Sequence, residues 1–296
     1  MAKLPARKLL DRYRVTDGKS FRLADHDPAD VAPKLVDQAD SAALLAQGVA
    51  RLSELQELLY AQRSWGLLAV FQAIDAAGKD GTIKHVMSGV NPQGVRVKAF
   101  KAPGEEELSH DFLWRVMREL PERGQVGIFN RSHYEEVLVV RVHPEMLDRQ
   151  RLPGALRGRK MWQHRLEDIA HFETYLARQG LVVLKFFLHV SREEQRRRLL
   201  ARLDRPDKNW KFSTGDVIER QHWDDYMAAY EATIRATASD DAPWFVVPAD
   251  HKWFTRLVVV AAMVDALEKL DLKLPSVPEQ TLVGLAAARA ELMKEG

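Results

Sequence analysis

A-I-D-A-A-G-K-D-G-T, residues 73–82, is the segment on which the fold of this chain depends, because it follows an apolar run and precedes a helical pattern. In that setting the backbone N–H groups at the start of the helix point towards an anion, and Lys79 can reach its outer oxygens. The segment departs from the G-x-x-x-x-G-K-[ST] pattern at Ala73 and at Asp80. It predicts a phosphate-binding loop, with an ordinary strand–turn–helix connection as the alternative.

The loop also contains two carboxylates, Asp75 and Asp80. Beside a bound phosphate both would repel it unless a divalent cation lay between them. The loop itself therefore implies magnesium, with Asp75 as the metal-binding carboxylate, either directly or through water. The residues assigned to the phosphate-binding loop are Ala76, Ala77, Gly78, Lys79, Asp80, Gly81 and Thr82.

Short apolar runs alternate with helical patterns from Trp65 onwards, which is typical of a parallel sheet covered by helices. We predict an α/β fold of the P-loop kinase type, with three layers (α/β/α) and a five-stranded parallel sheet. The helical patterns include 41–63, 108–120 and 160–178. The predicted strands are Leu67 to Phe71, Val95 to Phe100, Val126 to Phe129, Val182 to Val190 and Phe245 to Val247.

A second group of polar residues, N-R-S-H-Y-E-E at positions 130–136, follows the third predicted strand. P-loop enzymes often carry an acidic, metal-directed residue at the end of such a strand, and here that residue is the uncharged Asn130. Glu135 or Glu136 is then a secondary metal candidate. The planar donor fork of Arg131 suits phosphoryl oxygens, and a surface arginine is the alternative. We assign Asn130, Arg131 and Glu136 to nucleotide binding.

A basic strip follows the fourth predicted strand. Arg198, Arg202 and Arg205 have i, i+4 and i+7 spacing, so they share one face if the helix extends that far. The break at Pro206 predicts a helical lid over about 202–222 that closes over a phosphate chain. A solvated helix face with local ion pairs is the alternative. The residues predicted to hold polyphosphate are Arg198, Arg202, Arg205, Lys208 and Lys211, and a further basic group, Arg149, Arg151, Arg157, Arg159, Lys160 and Arg165, could line a polyanion groove.

Composition narrows the possible classes of protein. The 296 residues include no cysteine, which excludes disulfides, Cys-ligated metals and a Cys nucleophile. The net charge of +2 does not indicate nucleic-acid or membrane binding. The longest apolar stretch, 257–267, contains Asp265 and is far shorter than the ~20 residues of a membrane span. We therefore expect a cytoplasmic protein with an N-terminal extension (1–40), a catalytic domain (41–275) and a C-terminal helical tail (276–296).

Taken together, these segments give a family resemblance over residues ~40 to ~270. The chain resembles the polyphosphate kinase 2 family, in the subgroup that phosphorylates both AMP and ADP. The segments that carry the resemblance are D-A-A-G-K-D-G (75–81), E-E-L-S-H-D-F-L-W-R (106–115), F-N-R-S-H-Y-E-E-V-L-V-V-R-V (129–142), R-P-D-K-N-W-K-F-S (205–213) and D-A-P-W-F-V-V-P-A-D (241–250).

The resemblance implies a thymidylate-kinase-like fold, dependence on magnesium with manganese as a substitute, and a dimer or tetramer. It implies phosphoryl transfer between inorganic polyphosphate and AMP, ADP, ATP or their guanine equivalents. The matching positions make Asp75 an essential carboxylate, Lys79 the loop lysine and Arg131 a phosphate ligand, so these three are the predicted catalytic residues. Many relatives have Asp at the position of Asn130, and close ones have Glu-Asp at the positions of Glu135 and Glu136.

The absence of an evident nucleophile favours direct in-line transfer, in which positioning and charge neutralisation supply the catalysis. Two other functions stay open at this point. One is an ATP-dependent nucleoside monophosphate kinase, which would share the fold. The other is a non-catalytic polyanion-binding protein with a decayed loop.

Overall fold

The computed structural model describes residues 6–207, 209 and 213–295, and within those ranges a sheet of six strands forms the centre of the molecule. The strand order is β1-β6-β5-β2-β4-β3. All neighbouring pairs are parallel except β1 and β6. The strands are β1 (Arg14–Val15), β2 (Gly66–Gln72), β3 (Val95–Ala99), β4 (Val126–Asn130), β5 (Leu181–His189) and β6 (Trp244–Pro248).

The α/β fold and the five predicted parallel strands are confirmed, each with bounds within a residue or so of the predicted ones. The predicted strand count was nevertheless wrong, since β1 adds an antiparallel edge strand from the N-terminal region. A strand of two residues is too short to show a period of two, so no hydrophobic pattern marks it. Leu9, Leu10 and Tyr13 beside it are buried in the same core as the sheet.

Helices surround this sheet. Those in the described ranges are α1 (Ala6–Leu10), α2 (Ser41–Gln62), α3 (Lys79–Val86), α4 (Glu105–Leu108), α5 (Trp114–Met117), α6 (Val139–Val142), α7 (Met161–Arg178), α8 (Arg192–Leu203), α9 (Thr214–Glu219), α10 (Trp223–Thr237), α11 (Lys252–Glu268) and α12 (Glu279–Leu292). Among them, none is both long enough and apolar enough to cross a lipid bilayer.

One predicted helical segment, 108–120, is wrong in detail, because α4 ends at Leu108 and only the short helix α5 lies in the rest of the segment. Polar side chains between the two helices bond to the local backbone in place of a continuous helix. Ser109 Oγ donates to the carbonyl of Glu106 at 2.7 Å, and the Leu113 N–H donates to Asp111 Oδ1 at 2.9 Å. Such local bonds compete with helical ones and end the helix.

The core lies between the sheet and two groups of helices. All seven residues of the central strand β2 are buried. Helix α11 contacts α1, α2 and α3, whereas α7 contacts β5 and α10. Gly48 on α2 allows a close approach to α11, since a Cβ there would lie 2.9 Å from Cγ1 of Val260. Because β2, β3, β4 and β5 run parallel, their carboxyl ends lie along one edge, where the polar loops meet.

Candidate active site

The segment between β2 and α3 forms a tight loop at the carboxyl edge of the sheet. Ala76 and Gly78 have positive φ values of 62° and 109°, and α3 begins at Lys79. The first helical bond runs from the Thr82 N–H to the carbonyl of Gly78 at 3.0 Å. The N–H groups before Thr82 therefore precede the helical ladder and can bind an anion. A left-handed alanine is strained by about 1–2 kcal/mol, as is common at functional sites.

Asp75 and Arg131 lie at the centre of this edge. Arg131 Nη2 donates to Asp75 Oδ1 at 3.0 Å, and its Nη1 donates to Glu135 Oε2 at 3.2 Å. The Glu135 carboxylate raises the pKa of Arg131, burial lowers it by less, and Asp75 raises it further. The pKa of Arg131 is therefore above its usual value, and this guanidinium stays charged. Gln72 donates to Glu135 at 3.0 Å, and Gln195 donates to the carbonyl of Asp75 at 3.0 Å. Both catalytic candidates are thus held by neighbouring side chains.

Lys79 is oriented by its own loop, since its Nζ donates to the carbonyl of Ala73 at 2.7 Å. Burial, together with the nearby charge of Arg131, lowers the pKa of Lys79 to about 8. The loop lysine is therefore charged at neutral pH but titrates within an accessible range. A bound polyanion would raise that pKa again, because opposite charge favours the protonated amine.

The pH dependence of kcat/KM should report this titration. Lys79 is charged below about pH 8 and neutral above it, and only the charged form attracts phosphoryl oxygens. We expect kcat/KM for polyphosphate to fall about tenfold per pH unit on the alkaline side. The Lys79→Arg variant, whose guanidinium does not titrate, should lose this alkaline limb. An unchanged limb in that variant would assign the titration to another group.

Two other predicted nucleotide-binding residues, Asn130 and Glu136, lie in different parts of the structure. Asn130 lies at the loop, where its Nδ2 donates to Asp80 Oδ1 at 2.8 Å. Glu136 is buried away from Asp75 and accepts hydrogen bonds from Gln150 at 2.7 Å and Arg165 at 3.0 Å. The structure does not bring the carboxylate of Glu136 together with Asp75, because the chain turns inward after Arg131. The metal role predicted for Glu136 therefore has no geometric support, whereas Glu135 accepts a hydrogen bond from Arg131 of the Asp75–Arg131 pair.

A cleft of about 780 Å³, called here the first cavity, opens above the loop. Of the described residues that line it, three are acidic: Asp75, Asp80 and Asp216. The basic ones are three times as numerous, so the cavity is strongly cationic and suits a polyanion. They are Lys79, Lys101, Arg131, Arg197, Arg198, Arg202, Arg205, Lys252 and Arg256.

Arg198 lines this cavity, but its guanidinium nitrogens donate hydrogen bonds to other groups of the protein. Its Nη1 donates to the carbonyl of Ala77 at 2.6 Å, its Nη2 to that of Ala249 at 2.5 Å, and its Nε to Glu194 at 2.6 Å. The side chain is buried at 7% exposure. We therefore revise the predicted polyphosphate role of Arg198, which fixes the loop against β6 and α8 and has its nitrogens occupied.

Replacing Arg198 should impair turnover more than binding. The Arg198→Lys variant keeps the charge but cannot bond the loop, Ala249 and Glu194 at once. We expect kcat to fall roughly 100-fold through misplacement of the loop, with little change in KM for polyphosphate. Arg196→Lys, on the exposed face of the same helix, is the matched control. A large rise in KM with unchanged kcat would instead identify Arg198 as a direct polyphosphate ligand.

Arg202 and Arg205 keep their predicted place on the cavity wall. Arg205 lies beyond the end of α8, so its place depends on the turn after the helix. Arg202 pairs with Asp216 at 3.3 Å, a carboxylate that the sequence did not single out. Burial and the charge of Asp75 raise the pKa of Asp216, and both carboxylates line the first cavity. Lys208 and Lys211 lie outside the described residues.

Similarity to known proteins agrees with this geometry. Residues 35–275 match the family model described as polyphosphate kinase 2. An ADP-polyphosphate phosphotransferase of Rhodopseudomonas palustris is 48% identical over 96% of this chain and 98% of that protein. An AMP/ADP-polyphosphate phosphotransferase of Meiothermus ruber is 47% identical over 90% of this chain and 96% of that protein.

A solved structure is also similar. The crystal structure of polyphosphate kinase 2 from Arthrobacter aurescens superposes with a TM-score of 0.85 and 43% identity, over 95% of each chain. The family model, the two relatives and this structure each cover most of the chain, and they carry the same family name or a matching activity. The chain therefore belongs to the polyphosphate kinase 2 family.

Proposed function

We propose that this protein transfers a phosphoryl group between inorganic polyphosphate and AMP or ADP, with Asp75, Lys79 and Arg131 as its catalytic residues. The observation that carries the proposal is the first cavity, in which a helix start, Lys79 and a large excess of basic side chains surround the Asp75–Arg131 pair. The names of the two relatives support these substrates. Guanine nucleotides are the other acceptors that we consider.

The cavity suits transfer by positioning and charge neutralisation. The loop N–H groups and Lys79 hold the phosphoryl group, Arg131 balances the charge that grows on it, and Arg202 and Arg205 hold the rest of the polyphosphate chain. Among the described residues that line this cavity there is no histidine, and the sequence has no cysteine. The three aspartates of this cavity bond to Arg131, Asn130 and Arg202, and the proposal is direct in-line transfer without a phosphoenzyme.

The donor set around the loop fits a magnesium ion. Mg²⁺ is usually held by one or two carboxylates, substrate phosphates and water, and it does not require a cage of protein ligands. Asp75 and Asp216 line the same cavity and would supply those carboxylates. No cluster of three or more His, Cys, Asp or Glu ligands occurs in the described ranges. When bound, Mg²⁺ or Mn²⁺ would neutralise phosphate charge, while Lys79 and Arg131 orient the reacting group.

Asn130 places an uncharged side chain beside the phosphate-binding loop. Its amide donates to Asp80 at 2.8 Å, a contact that an aspartate at this position would replace by repulsion between two carboxylates. Because the Asn130 amide is neutral, it keeps its hydrogen bond to Asp80 and adds no second carboxylate that could bind the metal. The AMP/ADP name of the Meiothermus ruber relative supports an acceptor range that includes both AMP and ADP.

One assay separates this proposal from its alternatives. ADP or AMP is incubated with Mg²⁺ and polyphosphate, and then with ATP in place of polyphosphate. ATP formed from ADP and polyphosphate supports the proposal. Phosphorylation of AMP that requires ATP would indicate a nucleoside monophosphate kinase, and absence of turnover with either donor would indicate a polyanion-binding protein.

Location and assembly stay predictions. We propose a cytoplasmic homo-oligomer, a dimer or tetramer, that acts without nucleic-acid or membrane partners. Light scattering of the purified protein tests the assembly, and a monomer at micromolar concentration would contradict it.

A further inference from the structure

Side chains of α8 bind the carbonyl groups of three successive loop residues, Asp75, Ala76 and Ala77. Gln195 Nε2 donates to the carbonyl of Asp75 at 3.0 Å. Arg198 Nη1 donates to the carbonyl of Ala76 at 3.2 Å and to that of Ala77 at 2.6 Å. Gln195 and Arg198 are three residues apart on α8, and both side chains are buried. One face of α8 therefore fixes the orientation of the loop backbone.

Residues 74–77 form a tight turn, closed by a hydrogen bond from the Ala77 N–H to the carbonyl of Ile74 at 3.4 Å. Ala76, the third residue of this turn, has a φ of 62°, whereas the φ of Asp75 is negative. These signs of φ are those of a type II turn, which favours glycine at its third residue. Ala76 therefore has a backbone conformation that its side chain disfavours, so other contacts must hold the turn.

Rotation of one peptide unit would relieve this conformation. Turning over the Asp75–Ala76 peptide converts a type II turn into a type I turn, in which the third residue has a negative φ. The carbonyl oxygen of Asp75 would move in that rotation, and it is the oxygen that Gln195 binds. Because the C=O and N–H of a trans peptide point in opposite directions, the same bond directs the Ala76 N–H away from α8. Loss of the bond would let a carbonyl oxygen, which repels phosphate, take the place of that N–H.

The amide of Gln195 is itself oriented by Arg220. Arg220 Nη1 donates to Gln195 Oε1 at 2.5 Å and to the carbonyl of Arg192 at 3.0 Å. Because an arginine side chain has no acceptor, it binds the oxygen end of the amide and leaves the NH₂ end for the carbonyl of Asp75. Arg220 directly follows α9, at the end of the predicted lid. One side chain therefore connects the lid with the loop that carries Asp75.

Gln195 acts at a distance from the phosphate chain. It lines a second cavity of about 190 Å³, together with Asp75 and Arg220. Gln195 and Arg220 are not among the described residues that line the first cavity, where polyphosphate is expected to bind. Any effect of Gln195 on the transfer step must therefore act through Asp75 and its loop.

We propose that Gln195 is a positioning residue that holds the Asp75–Ala76 peptide in its phosphate-binding orientation, and that Arg220 makes this orientation depend on the position of the lid. This inference rests on the proposed function and adds to it how the loop is set for transfer. An ordered lid then stabilises the loop geometry in which Asp75 and the loop N–H groups face the reacting phosphate.

The Gln195→Met variant tests the role of the amide, because methionine has a similar length and lacks the strong donor and acceptor. We expect kcat for ATP formation from ADP and polyphosphate to fall about tenfold or more, since small displacements of reacting groups change rates strongly. KM for polyphosphate should stay within about threefold of the wild type, because Arg202 and Arg205 still hold the chain. Gln163→Met is the matched control: this exposed glutamine of α7 bonds only to Glu167 at 2.8 Å, and the variant should behave as the wild type.

Glycine at position 76 separates positioning from a general loss of structure. Ala76→Gly removes the Cβ that disfavours the left-handed conformation, so the turn no longer depends on the amide of Gln195. The double variant Ala76→Gly, Gln195→Met should therefore regain most of the kcat that Gln195→Met loses. A role of Gln195 in packing alone predicts no such recovery, and thermal unfolding of each variant checks that the fold is kept.

The connection with the lid is tested by Arg220→Met. We expect kcat to fall in this variant too, and the double variant Gln195→Met, Arg220→Met should be no slower than Gln195→Met alone, since both changes act on one peptide. Losses that multiply in the double variant would overturn the connection between the lid and the loop.

Two results would overturn the positioning role. One is a folded Gln195→Met variant whose kcat lies within about twofold of the wild type. The other is failure of Ala76→Gly to restore kcat in the double variant. If Gln195→Met does not fold, Gln195→Glu provides the same comparisons, because its carboxylate keeps the acceptor for Arg220 and has no donor for the carbonyl of Asp75.

Absence of polyphosphate-dependent turnover in the wild type would instead contradict the proposed function. Binding of inorganic pyrophosphate, measured by calorimetry with Mg²⁺, tests the inference in that case, because a short anion depends on the loop more than a long chain does. The wild type should bind pyrophosphate about tenfold more tightly than Gln195→Met. Equal affinities would overturn the positioning role.

Discussion

The Asp75→Asn variant should lose roughly 1000-fold in kcat, or more, while keeping its fold. The amide has the shape of the carboxylate but not its charge, so the hydrogen bond that Arg131 Nη2 donates at 3.0 Å is no longer an ion pair. The proposed metal loses a ligand at the same time. Initial rates of ATP formation from ADP and polyphosphate, measured at saturating Mg²⁺, give the change in kcat.

Two controls make that result specific. Asp265→Asn removes a surface carboxylate that pairs with Lys269 on α11, and it should leave kcat unchanged. Thermal unfolding of Asp75→Asn should follow the wild-type curve closely, since Asp75 is only partly buried. Activity within about threefold of the wild type would contradict the role of Asp75, because loss of a catalytic charge changes kcat far more.

The largest effect on stability is expected from Lys185→Met. Lys185 and Glu173 form an ion pair of 2.5 Å in the core, and Tyr134 donates to Glu173 at 2.7 Å. Burial alone would raise the pKa of Glu173, but Lys185 and His133 hold it below its usual value. The variant leaves that buried carboxylate without its main partner. We expect the free energy of unfolding to fall by about 3–5 kcal/mol in urea titrations.

The matched control is Lys269→Met, which breaks an exposed pair with Asp265 and should change the free energy of unfolding by less than about 1 kcal/mol. The double variant Glu173→Leu, Lys185→Met removes both buried charges and should regain much of the loss. A loss below about 1 kcal/mol in Lys185→Met alone would mean that Glu173 becomes protonated at little cost or gains water, and would contradict a stabilising pair.

The sequence predicted the place of the phosphate-binding loop because that place depends on local order: a buried strand, a turn and a helix. It could not predict the partners of Asp75. Arg131 is distant in the chain and reaches Asp75 because β4 pairs with β2, with Phe71 opposite Asn130. Strand order is a property of the whole sheet, and single-segment periodicity does not contain it.

The basic strip illustrates a second limit. An i, i+4 spacing placed Arg198 and Arg202 on one face of α8, and both do line the first cavity. Spacing does not indicate how deeply a side chain is buried, however. Arg198 is buried against loop carbonyls, while Arg202 pairs with Asp216. Asp216 lies near the start of the short helix α9, where an acidic residue is common for reasons of helix stability alone. No sequence signal connected it with Asp75.

The aromatic residues show the same limit for nucleotide recognition. Phe100 directly follows β3 and Phe112 lies between α4 and α5, and the sequence could not separate packing from binding for either ring. In the structure Phe100 is buried against Phe129 and beneath Arg115, whereas Phe112 is half-buried and lines a cavity of about 550 Å³. The turn at Ser109 to Asp111 separates α4 from α5, so Phe112 does not lie in the continuous helix that the sequence predicted.

The central claim is that the first cavity passes a phosphoryl group directly from polyphosphate to a nucleotide. A single-turnover experiment with end-labelled polyphosphate, Mg²⁺, ADP and excess enzyme tests it most directly. We expect the label to appear in the γ-phosphate of ATP, with no label on acid-quenched protein at any time. Label on the protein before ATP forms, or absence of label from ATP, would contradict direct transfer at this site.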